Sequence, residues 1–175
     1  MPAAAWAPAT PLVWEIPGKA KPKERPRFVL ERGKSPYTAD ATKSYERVVG
    51  EYTRKALVES RTPWPINIAL TLCVVFYIVP AKNMSKSNRA LAFDGVTTPH
   101  PDLDNLAKAV LDGMNGVLYI DDKQVNFLML CKLFAREAKT VVSAAPTYKG
   151  QLCQGMVGNF VRETLPNRPV MMKWA

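Results

Sequence analysis

The sequence predicts one α+β domain. Three observations lead there. Tyr45, Val48, Val49, Tyr52 and Ala56 recur at three- and four-residue steps, the stripe of a long amphipathic helix. Ile66, Ile68, Leu70, Leu72, Val74, Phe76 and Ile78 alternate strictly, the signature of a strand with a buried face. The 175 residues (19.5 kDa) suffice for one sizeable core and fall short of two ordinary domains.

Taken in order, Leu12 to Ile16 reads as a short first strand. After Pro17-Gly18, a basic run from Lys19 to Lys34 holds Lys19, Lys21, Lys23, Arg25, Arg27, Arg32 and Lys34 against Glu24 and Glu31. Pro22 and Pro26 keep it extended, with a second short strand over Arg27–Leu30. The long helix runs from Asp40 to Ser60, with Thr38, Asp40 and Thr42 as candidate caps, and Arg61–Pro65 ends it. In the alternating strand, Cys73, Val75 and Tyr77 suggest that the second face is partly covered too. A polar loop, Pro80–Pro101, carries Lys82, Lys86 and Arg89 and a short helix over Lys86–Phe93. A compact helix follows, roughly Asp104–Asn115, with Leu106, Val110 and Met114 on one side and Gly116 at the left-handed stop. Val117–Ile120 and Val125–Phe134, joined by the turn Asp121-Asp122-Lys123, read as a hairpin, and Thr140–Ala144 as a last strand. Residues 145–175 read as an irregular C-terminal extension of the same single domain.

Lys and Arg number 24 against 15 Asp and Glu, a net charge of +9, which points to a polyanionic partner. An apolar fraction of 47% excludes disorder of the whole chain. The N-terminus lacks a basic signal region and is broken by Pro2, Pro8 and Pro11, and the apolar run Ile66–Val79 is too short to span a bilayer. Cys73, Cys131 and Cys153 have no CxxC or metal spacing and read as reduced thiols. The expectation is a soluble, cytoplasmic protein with no membrane partner.

The chemistry concentrates in Pro101–Gln124, where five of the fifteen acidic residues fall within 21 positions. Asp104, Lys108 and Asp112 share one face of the predicted helix. Asp102 precedes it, and Asp121 and Asp122 lie at a strand end. Gathered carboxylates repel one another unless a cation is present, and hard oxygen donors with open positions suit Mg²⁺. Near a phosphodiester such ions generate hydroxide and neutralise pentacoordinate charge. Plainer roles remain open on spacing alone: Asp102 or Asp104 as a helix cap, Asp112 as a partner of Lys108, and Asp121-Asp122-Lys123 as an ordinary turn.

Asp-Leu-Asp-Asn-Leu-x-Lys, then Asp four residues later, then Asn-Gly-Val and Asp-Asp-x-Gln-Val, closely resembles the signature of the RusA family of Holliday junction resolvases, often carried by prophages. Gly18-Lys19 through Arg25-Pro26-Arg27 to Tyr37-Thr38 is similar to that family's opening, and the resemblance covers about residues 12–144. It implies a small mixed sheet packed with two main helices, working as a homodimer. Asp102, Asp104 and Asp122 are then the expected Mg²⁺ ligands (Mn²⁺ as a substitute), with Asp121 a neighbouring candidate, and Lys108 is expected to be essential for cleavage. No small-molecule cofactor is implied. Many members have Lys or Arg where His100 stands here, which affects a phosphate contact rather than the metal site. The expected reaction is hydrolysis of a four-way DNA junction by paired symmetric cuts, leaving 5′-phosphate and 3′-hydroxyl ends. Lys19, Lys21, Lys23, Arg25, Arg27, Lys82, Lys86 and Arg89 are the candidate phosphate contacts. The competing readings are a nuclease for other branched DNA, such as flaps and forks, and a DNA-binding dimer without catalysis.

Overall fold

The computed structural model describes residues 11–24 and 40–147. Among the described residues, four strands and three helices run in the order β1 (Leu12–Pro17), α1 (Asp40–Glu59), β2 (Leu70–Ile78), α2 (Lys86–Phe93), α3 (Leu103–Met114), β3 (Val125–Phe134) and β4 (Lys139–Pro146), with one 3₁₀ turn over Asp122–Gln124. The architecture is α+β, as the sequence predicts. The predicted strand at Arg27–Leu30, the Thr38 cap, Cys153 and the 148–175 extension lie outside the described residues.

The sheet order is β1-β4-β2-β3. β4 is antiparallel to both β1 and β2, whereas β3 is parallel to β2. Parallel neighbours need a long crossover, and the segment carrying α2 and α3 supplies it. The expected hairpin between 117–120 and β3 is therefore not formed. Val117–Ile120 makes only isolated bridges, with Tyr119 beside Ile66 and Asn115. The reason is local: Asp121 and Gln124 cap the 3₁₀ turn reciprocally, and this re-aims the chain away from a tight antiparallel turn.

β2 also starts later than its alternation suggests, at Leu70 rather than Ile66. A register shift between Leu70 and Thr71 separates the regular ladder from the residues before it. Beyond that point the alternation holds. Leu70, Leu72, Val74, Phe76 and Ile78 enter the main core with Val49 and Leu57 of α1 and Leu106, Val110 and Met114 of α3. Cys73 and Val75 point the other way, into a smaller cluster with Val141 and the partly buried Met129, Cys131 and Leu133. Burial pushes the Cys131 thiol pKa up.

α1 and α3 lie against one another through glycines. A Cβ on Gly113 would stand 2.7 Å from the Glu46 carbonyl oxygen and 2.8 Å from the Val49 Cβ. α3 stops as expected, with Gly116 at φ +72°. Thr42 does not cap α1. It is buried within the helix, and its hydroxyl donates to the Pro22 carbonyl at 3.3 Å, holding the basic segment against the helix. Among the described residues, no helix is long and apolar enough to cross a membrane.

Candidate functional site

α3 begins after Pro101, with Asp102 at its N-cap in extended backbone geometry (φ −63°, ψ 142°). An Asp here normally accepts from the first free amides. Its side chain makes no such capping bond. The carboxylate is exposed, and capping does not explain it. Lys132 of β3 reaches across to pin this corner, its ammonium donating to the Pro101 carbonyl at 2.9 Å. Asp104 lies in the first turn, where the helix dipole favours a negative charge. Asp104 and Lys108, one turn further on, are both exposed.

Asp112, the third residue of that face, has a different task. It is half-buried and pairs with Lys23 at 2.7 Å, and Lys23 also binds Glu46 of α1. Burial alone lowers the Lys23 pKa, but the hydrogen bonds and charges of Asp112 and Glu46 outweigh it and hold the ammonium above its ordinary value. Lys23 therefore ties the basic segment to both helices, and its charge is spent inside the protein. Its backbone N–H adds a bond to the Asn105 carbonyl at 2.8 Å.

The turn at 121–124 divides its two carboxylates. Asp121 is structural. It accepts from the Lys123 backbone N–H at 3.0 Å and lies 3.3 Å from the Lys123 ammonium. The backbone bond first, then the ammonium, lowers its pKa. Asp122 is exposed, in contact with Asp121, and close enough to the Tyr119 phenol to act on it. Burial first, then the charges of Asp122 and Asp112, pushes the Tyr119 pKa far up. The phenol donates to the Leu111 carbonyl at 2.8 Å.

That bond places Tyr119 near the C-terminal end of α3, and Asp122 acts on the same phenol. Leu111 lies nine residues beyond Asp102, about 13 Å along the helix axis at ~1.5 Å per residue. Asp102 and Asp104 stand at one end of α3, and Asp122 folds toward the other. Among the described residues, no three His, Cys, Asp or Glu side chains come together to hold a metal ion. The expected meeting of Asp102, Asp104 and Asp122 within one chain is not found. Each end keeps exposed hard donors with open positions, but neither completes a three-carboxylate site alone.

Of the candidate phosphate contacts, Lys19, Lys21, Lys82, Lys86 and Arg89 are exposed. Arg89 is placed by its own guanidinium, which donates to the Ala81 and Lys82 carbonyls at 3.3 and 3.4 Å. Arg25 and Arg27 lie outside the described residues, and His100 is exposed.

Gln124 is the residue that sequence reasoning missed. Its side-chain oxygen accepts from the Ile120 and Asp121 backbone amides at 2.9 and 3.1 Å. Its amide nitrogen donates to the Ile66 and Ile68 carbonyls at 2.8 and 3.1 Å. The Asp-x-x-Gln spacing is a capping-box signal that could have found it. Gln124→Ala is expected to cost about 2–3 kcal/mol, near 1 kcal/mol for each of the bonds that water cannot replace. Urea denaturation of the variant checks this, and an unchanged midpoint would show that water replaces the amide.

The family model described as Endodeoxyribonuclease RusA matches residues 17–144. A curated relative, the uncharacterized protein YqaN of Bacillus subtilis (strain 168), is 28% identical over 129 residues, 71% of this chain and 89% of its own length. The matched span runs from the end of β1 through most of β4, and so includes both ends of α3.

Proposed function

The chain belongs to the RusA endodeoxyribonuclease family of Holliday junction resolvases, and on that footing we propose that it resolves four-way DNA junctions by paired, symmetric strand cuts that require Mg²⁺ or Mn²⁺. The observation that carries this reading is the family match across both acidic segments. The structure supplies its support at Asp102, which occupies a cap position without capping. Exposed Asp104 and Lys108 follow on the same helix. A carboxylate placed so and left without a structural task is a reasonable ligand for an ion or a phosphate-bound water.

Two copies enter the proposal for a geometric reason. Asp102 and Asp104 stand at one end of α3 and Asp122 toward the other, and among the described residues no three acidic side chains meet to hold a metal ion. In a two-fold dimer, one copy's Asp102 and Asp104 can face the other's Asp122, and the symmetry makes two such places at once. Two equivalent sites are also what cutting two strands of a junction demands. A divalent ion held there would make water nucleophilic near neutral pH and offset the charge that builds on phosphorus. Lys108 would add a fixed positive charge beside the same phosphate. Exposed Lys19, Lys21, Lys82, Lys86 and Arg89 would track the backbone, so binding should weaken steeply with salt.

The experiment compares a mobile four-way junction, a flap and a linear duplex, each with Mg²⁺, Mn²⁺ or EDTA. Cutting of the junction alone, in paired positions and only with a divalent ion, is the expected result. Equal rates on junction and duplex would remove the resolvase reading and leave a general nuclease. No cutting of any substrate with either ion would leave a junction-binding dimer.

A further inference from the structure

Trp64 stands at the tip of the connection between α1 and β2, flanked by Pro63 and Pro65. It is 47% exposed, unusual for the largest apolar side chain in a domain that buries Tyr119 and Phe76 completely. The Arg54 guanidinium of α1 lies over its ring, 6.0 Å from the centroid. Arg61, at the end of the helix, is exposed beside it in sequence. The neighbouring Lys55 is engaged with Glu59 at 3.8 Å, and Arg47, further back on α1, with Glu51 at the same distance.

The tip is tied to the acidic turn. Two residues on, the Ile66 N–H donates to the Leu118 carbonyl at 2.8 Å, and Ile66 bridges Tyr119 in parallel. Gln124 then clasps the Ile66 and Ile68 carbonyls while it caps the 121–124 turn. The tip and the acidic turn are thus joined through Ile66 and Ile68, two and four residues beyond Trp64 along the chain. Ile120, 53% exposed, adds apolar surface directly before the turn in sequence.

We propose that Trp64, with Arg54 over its ring and Arg61 beside it, is a stacking platform for an unpaired DNA base next to the acidic turn. The proposal rests on the junction-cutting reading above. A base and an indole share extended flat faces, and stacking between them is tolerant of sequence. The two flanking prolines restrict the backbone, so little conformational freedom is lost when a base lands. The arginines supply the charge that the adjoining phosphates require. Fully paired duplex offers no free base face, so such a platform selects branched DNA near its crossover rather than duplex.

The test uses the full-length protein in EDTA, at fixed salt, with a four-way junction carrying 2-aminopurine at the crossover and a linear duplex of equal length. Wild type is expected to quench the 2-aminopurine in the junction. Trp64→Ala should lose that quenching and bind the junction roughly 10-fold or more weakly, the scale of one lost base–aromatic stack. Its duplex affinity should not change. Trp64→Phe, which keeps a flat ring, should retain most of both signals, and it keeps the test valid should the alanine variant fold poorly. Equal junction affinity and quenching in wild type and Trp64→Ala would overturn the proposal, as would equal losses on junction and duplex. Wild type that binds junctions in EDTA and cuts them once Mg²⁺ is added, with Trp64→Ala indistinguishable, sinks the platform alone. Wild type that ignores junctions sinks the parent reading and the platform with it.

Discussion

Asp104→Asn is expected to cut four-way junctions on the order of 10²–10³-fold more slowly than wild type, the loss seen when one preorganised electrostatic group is removed from an active site. The substitution keeps the shape and the exposed first-turn position at the start of α3 and removes one negative charge. Binding should move the other way. A carboxylate beside a phosphate is repulsive without a cation between them, so in EDTA the variant should hold the junction as tightly as wild type or more tightly. Single-turnover cleavage with Mg²⁺ and fluorescence anisotropy in EDTA separate the two effects. A variant that cuts at the wild-type rate would show that the α3 N-terminus does not carry the chemistry. Parallel losses of cutting and binding would mean that the side chain holds structure instead.

The fold was legible wherever a local pattern was strong. The α1 stripe, the short α2, the body of α3 with its Gly116 stop, β1 and β4 all stand where period and punctuation put them. The failures share one cause. The alternation of β2 extends back to Ile66, but the carbonyls of Ile66 and Ile68 are taken by a side chain 56–58 residues away, Gln124, rather than by a strand. The same glutamine caps the turn that the sequence pattern presents as a hairpin. Side-chain capture of backbone groups leaves no periodic trace.

The candidate site divides in the same manner. That Asp104, Lys108 and Asp112 share a face follows from helical spacing. Which of them is spent on structure does not, because the partner of Asp112 comes from before α1. Lys23 reads as one more charge in a basic run, yet it bridges Glu46 and Asp112. Nor could spacing tell against which end of α3 the 121–124 turn would fold. The Tyr119 hydroxyl decides that by reaching the Leu111 carbonyl.

Gly113→Ala is expected to destabilise the protein by about 2–4 kcal/mol, through overpacking of a close helix contact. Helix propensity predicts the opposite sign. Gly113 lies inside α3, where alanine is favoured over glycine by about 1 kcal/mol. Packing decides the outcome. The added methyl would stand 2.7 Å from the Glu46 carbonyl oxygen, 2.8 Å from the Val49 Cβ and 3.0 Å from its Cγ1. Two of these three atoms are backbone or Cβ and cannot swing aside. Gly50 makes the reciprocal approach, its own Cβ position 3.0 Å from the Gly113 carbonyl oxygen, so α1 has little slack. The helices must part, and parting them also pulls Glu46 from Asp112, the two carboxylates that Lys23 holds together. For a domain whose total stability is about 5–15 kcal/mol, this is a large share. Urea denaturation measures it directly. A higher midpoint for Gly113→Ala would mean that propensity wins and that α1 and α3 are not in the tight contact described.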